Sequence, residues 1–371
     1  MIIRTEDLKN ISSILLSSLA SPSLTSNSNL LELCAQGTDL IVKMTTGELY
    51  VEIKLPQDEM CNLNTTIDAE LFLKLVEKMT SEALELTAQD TCLEVSGNGG
   101  EYKFPLVYNG GEMFHIPKLD LPVITASAPF TAEILQSIYK YNTREVGKGT
   151  GINPIQKLYY IDQEGCITFT QGACVNNFTL TAPLQILIGE KVVKLFKLFE
   201  PNATITLSVG PYSITDEIIQ TRVRFESELI SITAILPDND KMVNSMPSEV
   251  IRKKAREEYP FNIVVDRGLF MDAVNRLLLF SKGLSANVFG QFTFSAESIT
   301  IEDVVSSNRE TVPVDSSSIT DSPYTVVFDL IEWKNKLASC TSSHVTLKVG
   351  AANAGLILEK NVVYVLPECS E

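Results

Sequence analysis

The chain has 371 residues, 44% of them hydrophobic, enough for two or three domains with separate cores. Its 30 Lys and Arg face 46 Asp and Glu, and the net charge of −16 argues against nucleic acid as a uniform ligand while leaving local basic fields open. Seven scattered cysteines (34, 61, 92, 166, 174, 340, 369) without a C-x-x-C pair suit reduced thiols; no apolar run reaches membrane-spanning length, and residues 1–20, polar every few positions, are not expected to be a signal peptide.

In chain order, the first element is a helix over 5–20, with Leu8, Ile11, Leu15 and Leu19 at helical spacing. After a loop at 21–29, residues 30–55 alternate through LLELCA, DLIVKM and ELYVEIKL, a β-meander with turns at Gln36-Gly37 and Thr46-Gly47. A second helix spans 68–79, with Asp68 as its cap and Leu71, Phe72, Leu75, Val76 and Met79 as its apolar stripe. ALELTA, CLEVSG and EYKFPLV follow as strands. The cluster Gly97-Asn98-Gly99-Gly100 is a hairpin turn rather than a phosphate loop, because neither a helix nor Lys-Ser/Thr comes after it.

The plan then repeats. A helix over 131–144 carries Ile134, Leu135, Ile138 and Tyr139 on one side and leads into KLYYID, CITFTQ and NNFTLTA. A helix over 189–199 carries Val192, Val193, Phe196 and Phe199 and leads into ATITLSV, YSITDEI and TRVRFES. IRKKAREE (251–258) is a short solvated helix inside a charged linker. The clearest unit is 263–282. Its β-branched run ends at the capping Asp266, and Leu269, Phe270, Ala273, Val274, Leu277 and Leu278 make one stripe. Leu279 falls on the opposite side of that helix and is expected to face solvent. The last helix starts at Asp329 and is followed by HVTLKVG, AGLILEK and VVYVLP. Helix starts near 5, 68, 131, 189, 267 and 329, mostly about sixty residues apart, predict an α+β protein of three tandem domains, each internally duplicated. Proline-bearing 117–129 and charged 247–260 divide it into 1–121, 122–250 and 251–371.

Nothing catalytic stands out. His115 and His344 lie in no nucleophile or metal motif, and the carboxylates form no D-x-D or H-E-x-x-H arrangement, so neither an enzyme nor a cofactor or metal site is expected. Charge distribution says more. The six helical segments hold 13 Lys/Arg against 10 Asp/Glu, and the remainder holds 17 against 36, so cations gather on helices and anions on strands. Lys191, Lys194 and Lys197 form one row, and Lys140, Arg144 and Lys148 another. Together with Arg276 and Lys334 they are the candidate duplex-DNA contacts, provided that the helices share one side of a ring.

At this point the chain resembles the bacterial sliding clamps, the β subunits of DNA polymerase III. LVYNGGEMFHIP (106–117) is similar to the clamp ending of domain one, and Thr170-Gln171-Gly172-Ala173-Cys174-Val175 to the clamp Thr-Asp-Gly-His-Arg-Leu. SELISITAILPD (227–238) and Tyr364-Val365-Leu366-Pro367-Glu368 resemble two further clamp motifs, and the likeness runs the whole length. It implies a head-to-tail homodimer, a ring with helices inside and sheets outside. Such a ring encircles duplex DNA without regard to sequence, and binds the replicative polymerase and the clamp loader through short linear peptides, in the cytoplasm at the nucleoid and not at a membrane. Carried over by motif, the peptide pocket comprises Thr170, Gly172, Ala173, Val175, Pro237, Met242, Tyr364, Leu366 and Pro367. Glu368 at its rim would favour a peptide bearing a nearby Lys or Arg. The dimer seam comprises Leu278 and Leu279 against Phe104 and Leu106 on strand 102–107 of the other copy. Ala173-Cys174 in place of His-Arg, and Glu368-Cys369 in place of Met-Arg, are the departures of a divergent or phage-like member. The alternative, a β-rich structural or adaptor protein that never meets DNA, would also explain the repeats, and predicts no basic surface in the assembled particle.

Overall fold

The computed structural model describes residues 1–20, 29–57, 62–148, 151–215, 218–237, 239–280, 288–351 and 354–369. Helices begin where the apolar spacing places them: Thr5–Ser18, Ala69–Lys78, Ala132–Ser137, Glu190–Leu195, Arg267–Phe280 and Leu330–Ser339. Aspartates cap three of these. Asp68 accepts the Leu71 N–H at 3.0 Å, Asp266 that of Leu269 at 2.8 Å, and Asp329 that of Ile331 at 2.8 Å. The helix expected over 131–144 changes pitch after Ser137, widening into a π turn, Ile138–Asn142, and tightening into a 3-10 turn, Thr143–Glu145.

Two stripe residues are misplaced by the period alone. Leu71 and Leu269 are 63% and 51% exposed, while Phe72, Leu73 and Val76, and Phe270, Ala273, Val274 and Leu277, are buried. Each exposed leucine is the third residue after its capping aspartate, so the same position of the repeat turns outward twice.

The chain divides into two compact units, Met1–Gln136 with Leu180–Lys241, and Ser137–Thr179 with Met242–Glu371. Residues 122–250 are thus shared between them.

In the first unit, an eight-stranded antiparallel sheet runs Ala126–Thr131, Thr204–Ser213, Ile219–Glu226, Ile230–Ile235, Leu49–Pro56, Asp39–Thr45, Leu30–Gln36, Asn64–Asp68. A four-stranded sheet runs Ile2–Arg4, Ala83–Ala88, Cys92–Gly97, Gly100–Pro105, which leaves the last strand at its edge. The turn at 97–100 is the expected hairpin, with Asn98 and Gly99 both at positive φ.

In the second unit, strands follow the order Leu158–Asp162, Gly165–Phe169, Ala173–Asn177, Val362–Pro367, Ala354–Glu359, His344–Ala351, Phe261–Asp266, Ser316–Ser317. A four-stranded sheet runs Arg309–Pro313, Ser298–Asp303, Phe289–Phe294, Tyr324–Asp329. Its core is aromatic. Trp333 lies 5.2 Å from both Phe270 and Phe292 and 5.4 Å from Phe328, ring centre to ring centre.

Candidate functional site

The helix cations differ in exposure. Lys140, Arg144, Lys148, Lys191, Lys197 and Lys334 are exposed. Lys140 also donates to Thr341 Oγ1 at 3.3 Å. Lys194 is half-buried and pairs with Glu190 at 3.2 Å, one turn earlier. Arg276 is exposed but bound twice, both nitrogens 2.8 Å from the carboxylate of Glu310. A guanidinium shared in this way offers a phosphate less than a free one does. Lys334 and Lys336 lie roughly 200° apart on their helix. The first is exposed and the second is buried completely, its ammonium held by Glu332 and, at 3.3 Å, by Glu145. Burial lowers the Lys336 pKa, but the two carboxylates outweigh it and keep the group above its usual value. Glu145 is raised, by burial first, with Lys336 opposing.

The residues carried over by motif do not all line one cleft. A 280 Å³ cleft on the sheet of the second unit is lined by Phe169, Gln171, Gly172, Ala173, Ala354, Val365 and Pro367. Its far wall is Pro247, Val250, Ile251 and Lys254, from the helix Ser248–Arg256. Gly172, Ala173 and Pro367 are therefore brought together as expected. Tyr364 and Leu366 are not. Side chains alternate across a strand, and these two point into the aromatic core, so the cleft receives Val365 and Pro367 instead. Val175 and Thr170 also lie outside the lining, as do Pro237 and Met242, whose place is taken by the 248–256 helix. Glu368 is outside it too, accepting a hydrogen bond from Tyr324 at 3.1 Å. Gly172 is required by close approach, since a Cβ there would sit 2.5 Å from the Val365 carbonyl oxygen and 2.6 Å from Lys336 Nζ.

That helix is not the solvated element its composition suggests. Arg252 is 3% exposed and donates to both oxygens of Asp162 at 2.6 Å, and Arg256 pairs with Glu164. Ile251 and Ala255 pack on the sheet with Ala173, Leu356 and Val365. The sequence signal was two apolar residues four apart beside a row of cations, too weak to separate from a solvated helix.

The four residues expected at the seam differ in exposure. Leu279 is 59% exposed, as its helical position predicts, and Phe280 beside it is 61% exposed. Leu278, however, packs against its own core, and Phe104 and Leu106 are buried as well. Phe104 meets Phe72 edge to face at 5.6 Å, so strand alternation points it inward. Glu101, Tyr102, Lys103 and Pro105 of the Gly100–Pro105 edge are exposed, Tyr102 being the large apolar one, and Leu71 is exposed on the helix whose Phe72 meets Phe104.

His115 lies 3.4 Å from Glu32, and His344 3.4 Å from Asp315. Cys166 and Cys174 are buried, and burial pushes their thiols up, away from a reactive thiolate. Among the described residues, no three His, Cys, Asp or Glu are grouped to hold a metal, and no helix is long and apolar enough to cross a membrane.

No family model matches this sequence, and no curated protein matches it. Solved structures do. The fold is that of the bacterial DNA sliding clamps. The DNA polymerase III subunit beta clamp of Pseudomonas aeruginosa superimposes with a TM-score of 0.80 at 12% identity, over 100% of this chain and 99% of that one. The DNA polymerase III beta subunit of Thermotoga maritima gives 0.75 at 13%, over 100% and 99%, and the Bacillus subtilis polymerase sliding clamp 0.71 at 15%, over 100% and 98%.

Proposed function

We propose that this chain is a DNA sliding clamp. Two copies join head to tail into a ring around duplex DNA, and the ring holds the replicative polymerase on its template. The observation that carries this reading is the end-to-end likeness of fold to beta subunit clamps, with no part of the chain left over. The domains 1–121, 122–250 and 251–371 belong to the same proposal, six of them making a ring. The work is topological, so it calls for no catalytic group, and its setting is the cytoplasm at the nucleoid.

Exposed Lys140, Arg144, Lys148, Lys191, Lys197 and Lys334 face the phosphates, each adding roughly one unit to the salt dependence of binding. Lys194, half-buried beside Glu190, and Arg276, held at two nitrogens by Glu310, contribute less. The polymerase and the clamp loader dock short peptides into the cleft at Gly172, Ala173, Val365 and Pro367. At the seam, the free edge of Gly100–Pro105 in one copy meets that of Arg309–Pro313 in the other, extending both sheets. Leu279 and Phe280 supply the apolar contact on one side, Leu71 and Tyr102 on the other.

Sedimentation tests the closure. The protein should run as a dimer, and the double variant Leu279→Lys, Phe280→Lys as a folded monomer, because truncating interface anchors typically costs about 2 kcal/mol or more. A dimer at micromolar concentration in that variant rules out this seam.

A further inference from the structure

We infer that the first unit carries a separate docking site, a cavity for a partner segment that sets a large apolar side chain beside Lys or Arg. It goes beyond the cleft of the second unit and does not depend on it. The cavity measures 560 Å³, well inside the about 300–1,000 Å³ of ligand pockets. Its floor is apolar. Ile11 comes from the first helix and Leu198 from the turn after the fourth, while Ile53 and Ile230 lie opposite one another where two strands of the eight-stranded sheet pair. All four are no more than 9% exposed, so the cavity opens onto the margin of a packed core. Closed turns make its walls. The Ala203 N–H donates to the Glu200 carbonyl at 2.9 Å, and the Ser227 N–H to that of Ile230 at 2.8 Å. The Lys54 N–H ties the second turn to the neighbouring strand through the Leu229 carbonyl, also at 2.8 Å. A site held in this way needs little ordering when a ligand enters.

Charge selects the ligand. Asp7, Glu200 and Glu228 line the cavity against a single cation, Lys54. Strand alternation sends the Lys54 side chain to the face opposite Ile53, away from the floor. Asp7 already meets Arg4 at 3.1 Å, but Glu200 and Glu228 are exposed and form no ion pair among the described residues. Such a rim repels phosphate and carboxylate groups and attracts ammonium or guanidinium groups. An apolar side chain seated on the four floor residues carries its chain neighbours past this rim, where Lys or Arg meets the two glutamates.

Fluorescence anisotropy tests this on the full chain carrying Val250→Trp, a change at a 65% exposed position that obstructs the cleft of the second unit. Three labelled peptides are compared. The first has Leu-Phe flanked by Lys and Arg, the second Leu-Phe flanked by Asp and Glu, and the third Ser-Ser flanked by Lys and Arg. At low salt the first should bind about fivefold tighter than the second, and that margin should shrink as salt is raised. The third keeps the charge without the anchor and should bind at least about tenfold more weakly than the first. Glu200→Lys with Glu228→Lys, both at exposed positions, should reverse the order of the first two. Asn10→Trp, at an exposed position of the first helix, should obstruct the cavity and weaken the first peptide at least about tenfold, with the circular dichroism of its parent. Binding that survives Asn10→Trp in folded protein places the peptide elsewhere and overturns the inference. A charge preference that the glutamate variants leave in place overturns it as well. So does equal binding of the first and third peptides, which would reduce the effect to the net charge of −16.

Discussion

The Leu330–Ser339 and Ser248–Arg256 helices each bury one basic side chain, yet they are attached to the fold in different ways. The first buries Leu330, Trp333 and Leu337 along with Lys336. The second buries Arg252 alone, with Ile251 and Ala255 only partly covered. An apolar stripe makes the first helix part of a core that folds as one body. An ion pair pins the second to a surface that would persist without it. A buried charge in a packed helix therefore cannot escape when its partner is lost, whereas a helix held mainly by charge can lift off and let the orphaned group meet water.

The largest consequence concerns Lys336→Met. It leaves Glu145 and Glu332 facing one another without the ammonium, in a site that cannot open, and should cost about 3–5 kcal/mol in chemical denaturation. A loss below 1 kcal/mol would mean that the triad is solvated after all.

Glu359 anchors the exit of the same helix, accepting the Thr341 N–H at 2.7 and 2.8 Å and that of Ser342 at 3.1 Å. Burial alone would raise its carboxyl, but hydrogen bonds led by that of the Thr341 side chain outweigh this and hold it below the usual carboxylate value. A depressed folded pKa contributes stability above the unfolded value of about 4.3 and loses it as pH falls through the folded one. Glu359→Gln should thus cost about 2 kcal/mol near neutral pH, and progressively less in acid. A cost independent of pH would show that the charge is not what the donors bind.

Arg252→Met should behave in the opposite way to Lys336→Met. Global stability should change by less than about 1 kcal/mol, while amide exchange over 248–256 accelerates as the helix undocks. Equal global losses in the two variants would erase the distinction between them.

The smallest effect separates cations of the helix layer. Lys191→Ala should lower the salt slope of DNA binding by roughly one unit, and Arg276→Ala, whose guanidinium is shared with Glu310, by less. Equal slopes would return Arg276 to the phosphates.

The same contrast explains what was legible in the sequence. Helix starts at the capping aspartates were plain, because a polar cap followed by apolar spacing is a local signal. Strand runs were plain too, but not which face of a strand meets which layer. A shift of one residue exchanges the two faces, and so Tyr364 and Leu366 were expected in a cleft that receives Val365 and Pro367. Phe104 is likewise buried on a strand whose neighbouring Tyr102, Lys103 and Pro105 are exposed. The Arg252 latch joins residues 90 apart in sequence, and Lys336 finds Glu145 across 191, so neither pairing leaves a local trace.

Topological retention tests the central claim most directly. Labelled protein would be equilibrated with nicked circular duplex at low salt, the salt raised, and the complex followed by gel filtration before and after a single cut linearises the DNA. A clamp should remain on the circle at high salt and run off once an end exists. Loss from both forms at the same rate, or retention on both, would contradict the ring.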